Sequence, residues 1–236
     1  MQIRRKIHFL GLLLIPFLGM AQNHIPPQSD AAVDSLYRED QIYFGFTYNL
    51  LVNTPKGTSS SGLSGGVQGG FVRDMPINKR RNIAIAAGLG IAYDQFGSNF
   101  FVGKEQSGET IFRVMDEHVD FDQNRFGMAM VEIPIEFRWR TSTPSEYRFW
   151  RVYAGARLGY AYWYKTTFKQ PGNKVYQTNI PEFQPFRITA TLGFGYSTFN
   201  FFAAYNLNPF FKDAKTVDGQ TVDFRALKFG LMFFVL

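Results

Sequence analysis

The chain has 236 residues, no cysteine, 17% aromatic residues including 26 Phe, and a formal net charge of +6. The absence of cysteine excludes disulfides, thiolate metal sites and a lipoprotein anchor. So much Phe is high for a soluble domain and ordinary for strands that face lipid.

Arg4, Arg5 and Lys6 precede the apolar run Phe9–Leu18, and Gly19-Met20-Ala21 offers small residues for cleavage. This pattern predicts a secretory signal peptide over residues 1–21, cut after Ala21; the apolar run is too short to span a membrane. Its removal leaves 22 basic against 19 acidic side chains, a mature charge of +3, too small to argue for nucleic acid. No later apolar run reaches about 18 residues, which excludes a helical membrane protein. Residues 22–40 are polar, carry Pro26-Pro27, and read as a periplasmic lead-in expected to be disordered.

From residue 41 onward the period is two, the signature of strands whose side chains alternate between faces. The first strand, Ile42–Leu50, sets Phe44, Phe46, Tyr48 and Leu50 against Tyr43, Gly45, Thr47 and Asn49. The second, Leu63–Arg73, is rich in glycine, with Leu63, Val67 and Phe71 on one face; residues 74–81 read as a compact basic turn. The third runs from Ile83 to Tyr93 and alternates large apolar residues with Ala and Gly, as a narrow interior requires. A long polar connection follows, within which Ile111–Met115 extends a strand.

The fourth strand, Met130–Arg140, is the clearest: Val131, Ile133, Ile135, Phe137 and Trp139 alternate with Glu132, Pro134, Glu136, Arg138 and Arg140. Pro134 lacks an N–H, so a bulge or a lost ladder bond is expected there. The fifth strand, Trp150–Tyr164, turns its even-numbered residues, Tyr164 among them, outward. The sixth, seventh and eighth are Phe186–Tyr196, Phe199–Leu207 and Phe224–Leu236. Connections alternate long and short, as in outer-membrane barrels. The prediction is an all-β, eight-stranded antiparallel up-and-down transmembrane barrel over residues 41–236, located in the outer membrane. A soluble sandwich gives no reason for the alternation.

Eight strands enclose only enough room for side chains. The inward set is therefore read as an ion-pair network that fills the lumen: Glu132, Glu136, Arg138, Arg151, Arg157, Arg187 and Lys228, with Tyr43, Gln68, Tyr153 and several Thr and Asn. The competing reading, a buried catalytic or anion site, is weaker, because buried charges need partners in any small barrel. Trp139 and Trp150 flank one short turn and are assigned to an interfacial aromatic girdle. Pairing them predicts that Arg138 faces Arg151, Glu136 faces Tyr153, and Glu132 faces Arg157. No His lies on a strand, so a barrel hydrolase lacks its base and no enzyme is expected. Asp116, Glu117, His118, Asp120 and Asp122 share one outer loop and could hold a cation. Yet EF-hand spacing is absent and acidic loops are usually solvated, so neither metal nor cofactor is assigned.

FVRDMPINKRRN, VEIPIEFRWRTSTPSEYRFWR and YNLNPFF resemble segments of the PorT-like outer-membrane barrels of the Bacteroidota, a likeness covering essentially the whole mature chain. The resemblance implies a small porin-like β-barrel without catalytic residues. Its namesake serves type IX secretion and gliding. Partners expected on this basis are outer-membrane lipid, the barrel-assembly machinery and type IX components, with no nucleic acid. The alternative function is a small porin-like transport or ligand-binding barrel.

Overall fold

A computed structural model describes residues 40–105, 107–116, 118–141 and 149–235. The expected signal peptide, nearly all of the lead-in, Glu117 and the turn residues 142–148 lie outside these.

The strands are β1 (Asp40–Val52), β2 (Gly65–Pro76), β3 (Ile83–Gly97), β4 (Phe100–Lys104), β5 (Thr110–Val114), β6 (Gln123–Arg140), β7 (Trp150–Gln170), β8 (Asn173–Gln177), β9 (Phe186–Tyr196), β10 (Phe199–Asn206) and β11 (Arg225–Val235). Eight of them close an antiparallel barrel in the order β6-β3-β2-β1-β11-β10-β9-β7, with β6 returning to β7. The seam pairs β1 with β11 from Ile42↔Val235 to Val52↔Arg225. β8 folds back on the upper part of β7, and β4 and β5 form a separate hairpin. The segment at 111–115 therefore pairs with β4 rather than lengthening a barrel strand.

The short connections, β2–β3, β6–β7 and β9–β10, gather at one end of the barrel, and the long ones at the other. Alternation places Phe44, Leu89, Ile133, Leu192 and Phe201 outside, whereas Tyr43, Ala86, Glu136, Tyr153 and Met232 are buried inside. Small residues make this interior possible. A Cβ on Gly90 would collide with the Tyr43 hydroxyl, and one on Gly193 would enter the Tyr153 ring. Both of these inward tyrosines thus lie over a glycine on a nearby strand.

Three expectations about the strands need correction. First, Trp139 pairs with Val152 and Arg138 with Tyr153, so the register is two residues from the expected one; Glu132 stands opposite Gly159 and Arg157 opposite Pro134. A slip of two keeps every side chain on its face, so alternation cannot detect it. Second, β6 and β7 rise well beyond the predicted segments, and a bulge separates Ala129↔Trp163 from Met130↔Ala161, leaving Tyr162 unmatched. Beyond it the faces exchange: Tyr162 and Trp163 are both exposed, and Tyr164 turns inward. Third, the expected basic turn at 74–81 begins late, because Asp74 to Pro76 belong to β2. The bulge does not fall at Pro134. There the β3–β6 ladder breaks off after Ala87↔Ile135 and resumes at Gly90↔Glu132, across the residue that cannot donate.

Gly193→Ala should destabilise the folded barrel by about 1–3 kcal/mol through overpacking against Tyr153. Gly193→Ala/Tyr153→Ala should lose less than the sum of the single losses in urea unfolding; additive losses would remove the proposed contact.

Candidate functional site

The interior is built in two layers. Toward the short-turn end, β2 and β6 bring Asp74, Glu136, Arg138 and Arg140 together. Arg138 donates to Glu136 Oε2 at 2.7 Å, to Asp74 Oδ1 at 3.0 Å and to Gln41 Oε1 at 3.0 Å. Arg140 reaches the other Asp74 oxygen at 3.2 Å and the Arg81 carbonyl at 3.2 Å. One carboxylate on β2 thus bridges two guanidiniums at successive inward positions of β6.

In the next layer up, Arg157 of β7 bonds Glu132 at 3.2 Å, lies 3.9 Å from Glu136, and donates to Gln68. The Glu132–Arg157 pair forms diagonally, not face to face, because two long side chains span the two-residue offset. Higher still, Lys228 of β11 pairs with Asp94 of β3, whose other oxygen accepts from Asn49 at 3.0 Å.

Four carboxylates and six cations are buried among the described residues, an excess of two positive charges. Aromatic faces and carbonyls take up part of this excess. Arg138 and Arg151 lie 4.9 and 4.6 Å from the Phe234 ring, and Arg157 lies 4.8 Å from Phe202. Arg187 stacks 4.6 Å from Phe210 and donates to the carbonyls of Phe186 and Pro209 at 2.9 and 3.2 Å. Such stacks gain strength when water is excluded.

At the long-loop end the filling changes character. The long loops, expected to be polar, send Phe100, Phe112, Phe183, Phe210 and Phe211 into one buried cluster with Phe224, expected to open the eighth strand and found just before β11, and with Phe96 and Met128 of the wall. Phe100 meets Phe224 edge-on at 4.4 Å, and Phe112 meets Phe211 at 5.2 Å. The inverted phase above the bulge lets Tyr164 join: its ring lies 4.0 Å from Phe183, and its hydroxyl accepts from the Ile180 N–H at 3.0 Å. This apolar plug closes the mouth above the charged layers.

The structure thus brings Glu132, Glu136, Arg138 and Arg157 into direct contact, places Lys228 with Asp94, and sets Arg151 and Arg187 against aromatic rings. Asp74, Asp94, Arg140 and Gln41 belong to the same interior and were missed as site residues. Each aspartate lies just past the last clear alternation, Asp74 where a turn is expected and Asp94 where a long connection is, yet both belong to strands. Trp139 and Trp150 are outward and half-exposed near the short-turn end, and Trp150 packs on Tyr196 at 5.4 Å. Asp116, His118, Asp120 and Asp122 form no cluster that could hold a metal ion, and no other such cluster occurs among the described residues.

The family described as "Outer membrane protein beta-barrel domain" matches residues 20–213. The chain belongs to this family, and the protein is an outer-membrane β-barrel protein. Among solved structures, Ail, the attachment invasion locus protein of Yersinia pestis, aligns with 83% of this chain and 96% of its own at 14% identity and a TM-score of 0.37. Ail in complex with the heparin analogue sucrose octasulfate aligns over the same shares at 12% identity and a TM-score of 0.33. A search among curated proteins finds no match.

Removing one member of a buried ion pair costs about 3–5 kcal/mol. Asp74→Ala should fall in that range, because it takes one carboxylate from Arg138 and Arg140 at once. Glu132→Ala should cost less, since Arg157 keeps Glu136 and Gln68, and Glu132→Ala/Arg157→Ala should recover part of the loss. Urea unfolding of the barrel in detergent measures all three; an Asp74→Ala loss no larger than that of Glu132→Ala would contradict the assignment.

Proposed function

We propose that the protein is a non-enzymatic outer-membrane barrel that works through its loops and rim, not through its lumen. The observation that carries this reading is the double filling of the interior, by ion pairs such as Arg138–Asp74 and by the Phe plug above them. A tube filled at both levels has no continuous polar path for a solute. Its buried charges are engaged with one another and with rings, which is the arrangement of a structural network and not of a reactive site.

In this reading the signal peptide is cut after Ala21, the short turns face the periplasm and the loop crown faces outward. Trp139 and Trp150 lie in the periplasmic interfacial girdle. The barrel-assembly machinery inserts the chain. The resemblance to PorT-like barrels makes the type IX secretion apparatus the machine that this barrel serves as an accessory component. Small-solute transport is the rival reading, and nothing in the interior favours it.

Planar-bilayer recording separates the two. The wild type should give no steady single-channel conductance; large, stable steps would replace the accessory reading with transport. The secretion role is tested separately. Deletion of the gene should abolish export of type IX cargo, and pull-down from mild-detergent membranes should recover secretion components. Normal export together with an empty pull-down would leave a barrel without that role.

A further inference from the structure

The outer wall near the long loops carries a feature that the filled lumen does not explain. Above the bulge, outward positions on β6 and β7 change from apolar to cationic. Arg125, Lys165 and Lys169 border a cleft of about 250 Å³ together with Tyr93, Trp163 and Tyr176. The bulge creates this face: it turns Trp163 and Lys165 outward where uninterrupted alternation would turn them in. Gly127 stands opposite Lys165, and a Cβ there would lie 3.0 Å from the Tyr93 hydroxyl, so the glycine forms the floor. Gln95 accepts from Arg125 at 3.0 Å and orients it, while the Lys165 ammonium sits 4.1 Å from the Tyr176 ring centroid. No acidic side chain lines the cleft, and none of the three cations makes an ion pair among the described residues.

Directly below, an apolar groove of about 840 Å³ runs down the wall across β2, β3 and β6. It shares Tyr93 with the cleft, and Ala129, one of its lining residues, pairs with both Tyr93 and Trp163. Gly69 opens the groove, since it takes the outward place between Val67 and Phe71 and offers no side chain. A cationic cleft joined through an aromatic row to an apolar trough matches a molecule with an anionic head and hydrocarbon tails. Tyr and Trp rings favour the level where headgroups meet chains, and each Lys or Arg near an anionic membrane surface adds to the attraction.

We propose that this wall is a binding site for a phosphorylated lipid of the outer leaflet. Arg125, Lys165 and Lys169 hold the phosphoryl group, Tyr93 and Trp163 pack at the head–tail junction, and the Gly69 groove takes an acyl chain. A free anion would use the cleft but not the groove, and a polysaccharide would approach from the loop crown.

Native mass spectrometry of the full protein in detergent tests the site, with bis-phosphorylated lipid A, its dephosphorylated form and inorganic phosphate as probes. The wild type should retain the phosphorylated lipid at least about tenfold better than the dephosphorylated one. Arg125→Gln/Lys165→Gln/Lys169→Gln should abolish that preference, whereas Lys56→Gln/Lys212→Gln/Lys215→Gln should keep it. Gly69→Leu, whose added Cβ meets nothing closer than 3.4 Å, should weaken retention of both lipids severalfold while keeping the preference. Heat-modifiable gel migration checks folding; should the triple variant fail it, Lys165→Gln alone should still lose about fivefold. Equal retention of both lipids, or an unaffected triple variant, would overturn the site. Displacement by millimolar inorganic phosphate, or full retention by Gly69→Leu, would overturn the lipid as its occupant.

Discussion

The buried guanidinium of Arg138 sets the terms for the lower half of this barrel. Taking an arginine out of water costs several kcal/mol unless its donors and charge are met. Here Glu136 on the same strand, Asp74 two strands away, Gln41 on β1 and the Phe234 ring meet it together. The small residues follow from that demand. Ala84 stands opposite Arg138 and Ala86 opposite Glu136 on β3, so the charged side chains have room to reach across the lumen. The tyrosines that pack between the guanidiniums, Tyr43 and Tyr153, fit only because Gly90 and Gly193 lack side chains.

The two interior layers solve different problems. Near the short turns, a polar filling keeps the narrow tube from being a uniformly greasy core that could equally well face lipid, and so fixes which face is inside. Near the long loops, a Phe cluster folds the loops down onto the wall. The bulge at Tyr162 joins the two regimes. It gives Tyr164 to the plug and, by the same half-turn, Trp163 and Lys165 to the outside.

Much of the barrel was legible from alternation alone. Strand Phe186–Tyr196 follows from period two without other information. The residues of the ion-pair network were legible for the same reason: a charge at an inward position has few places to go. Pairwise contacts were not. Register is decided by the turn and by backbone pairing, and two registers that differ by two residues give the same hydrophobic pattern. Asp74 and Asp94 escaped because the apolar signal fades near strand ends, although their backbone remains in the ladder. The plug escaped because Phe210 and Phe211 sit among Asn, Pro, Lys and Asp, a composition that reads as loop and says nothing of which loop side chains turn back inward. Tyr164, expected outward, turns inward because a bulge leaves no mark in a local window.

The partners of single interior charges come from widely separated parts of the chain. Arg138 meets Gln41 across 97 residues, and Lys228 meets Asp94 across 134. Such contacts cannot form hairpin by hairpin, and loop-closure entropy must be met before any of them gives stability back. A chain that entered the bilayer one strand at a time could form its local pairs, Glu136–Arg138 and Glu132–Arg157, but Asp94 would lack Lys228 until β11 docked on β1. Insertion and closure are therefore coupled into one late, cooperative event. A chain stalled before it is an open sheet in which Asp94 still lacks its lysine and the backbone of β1 is unpaired along one edge, a template for pairing with another chain.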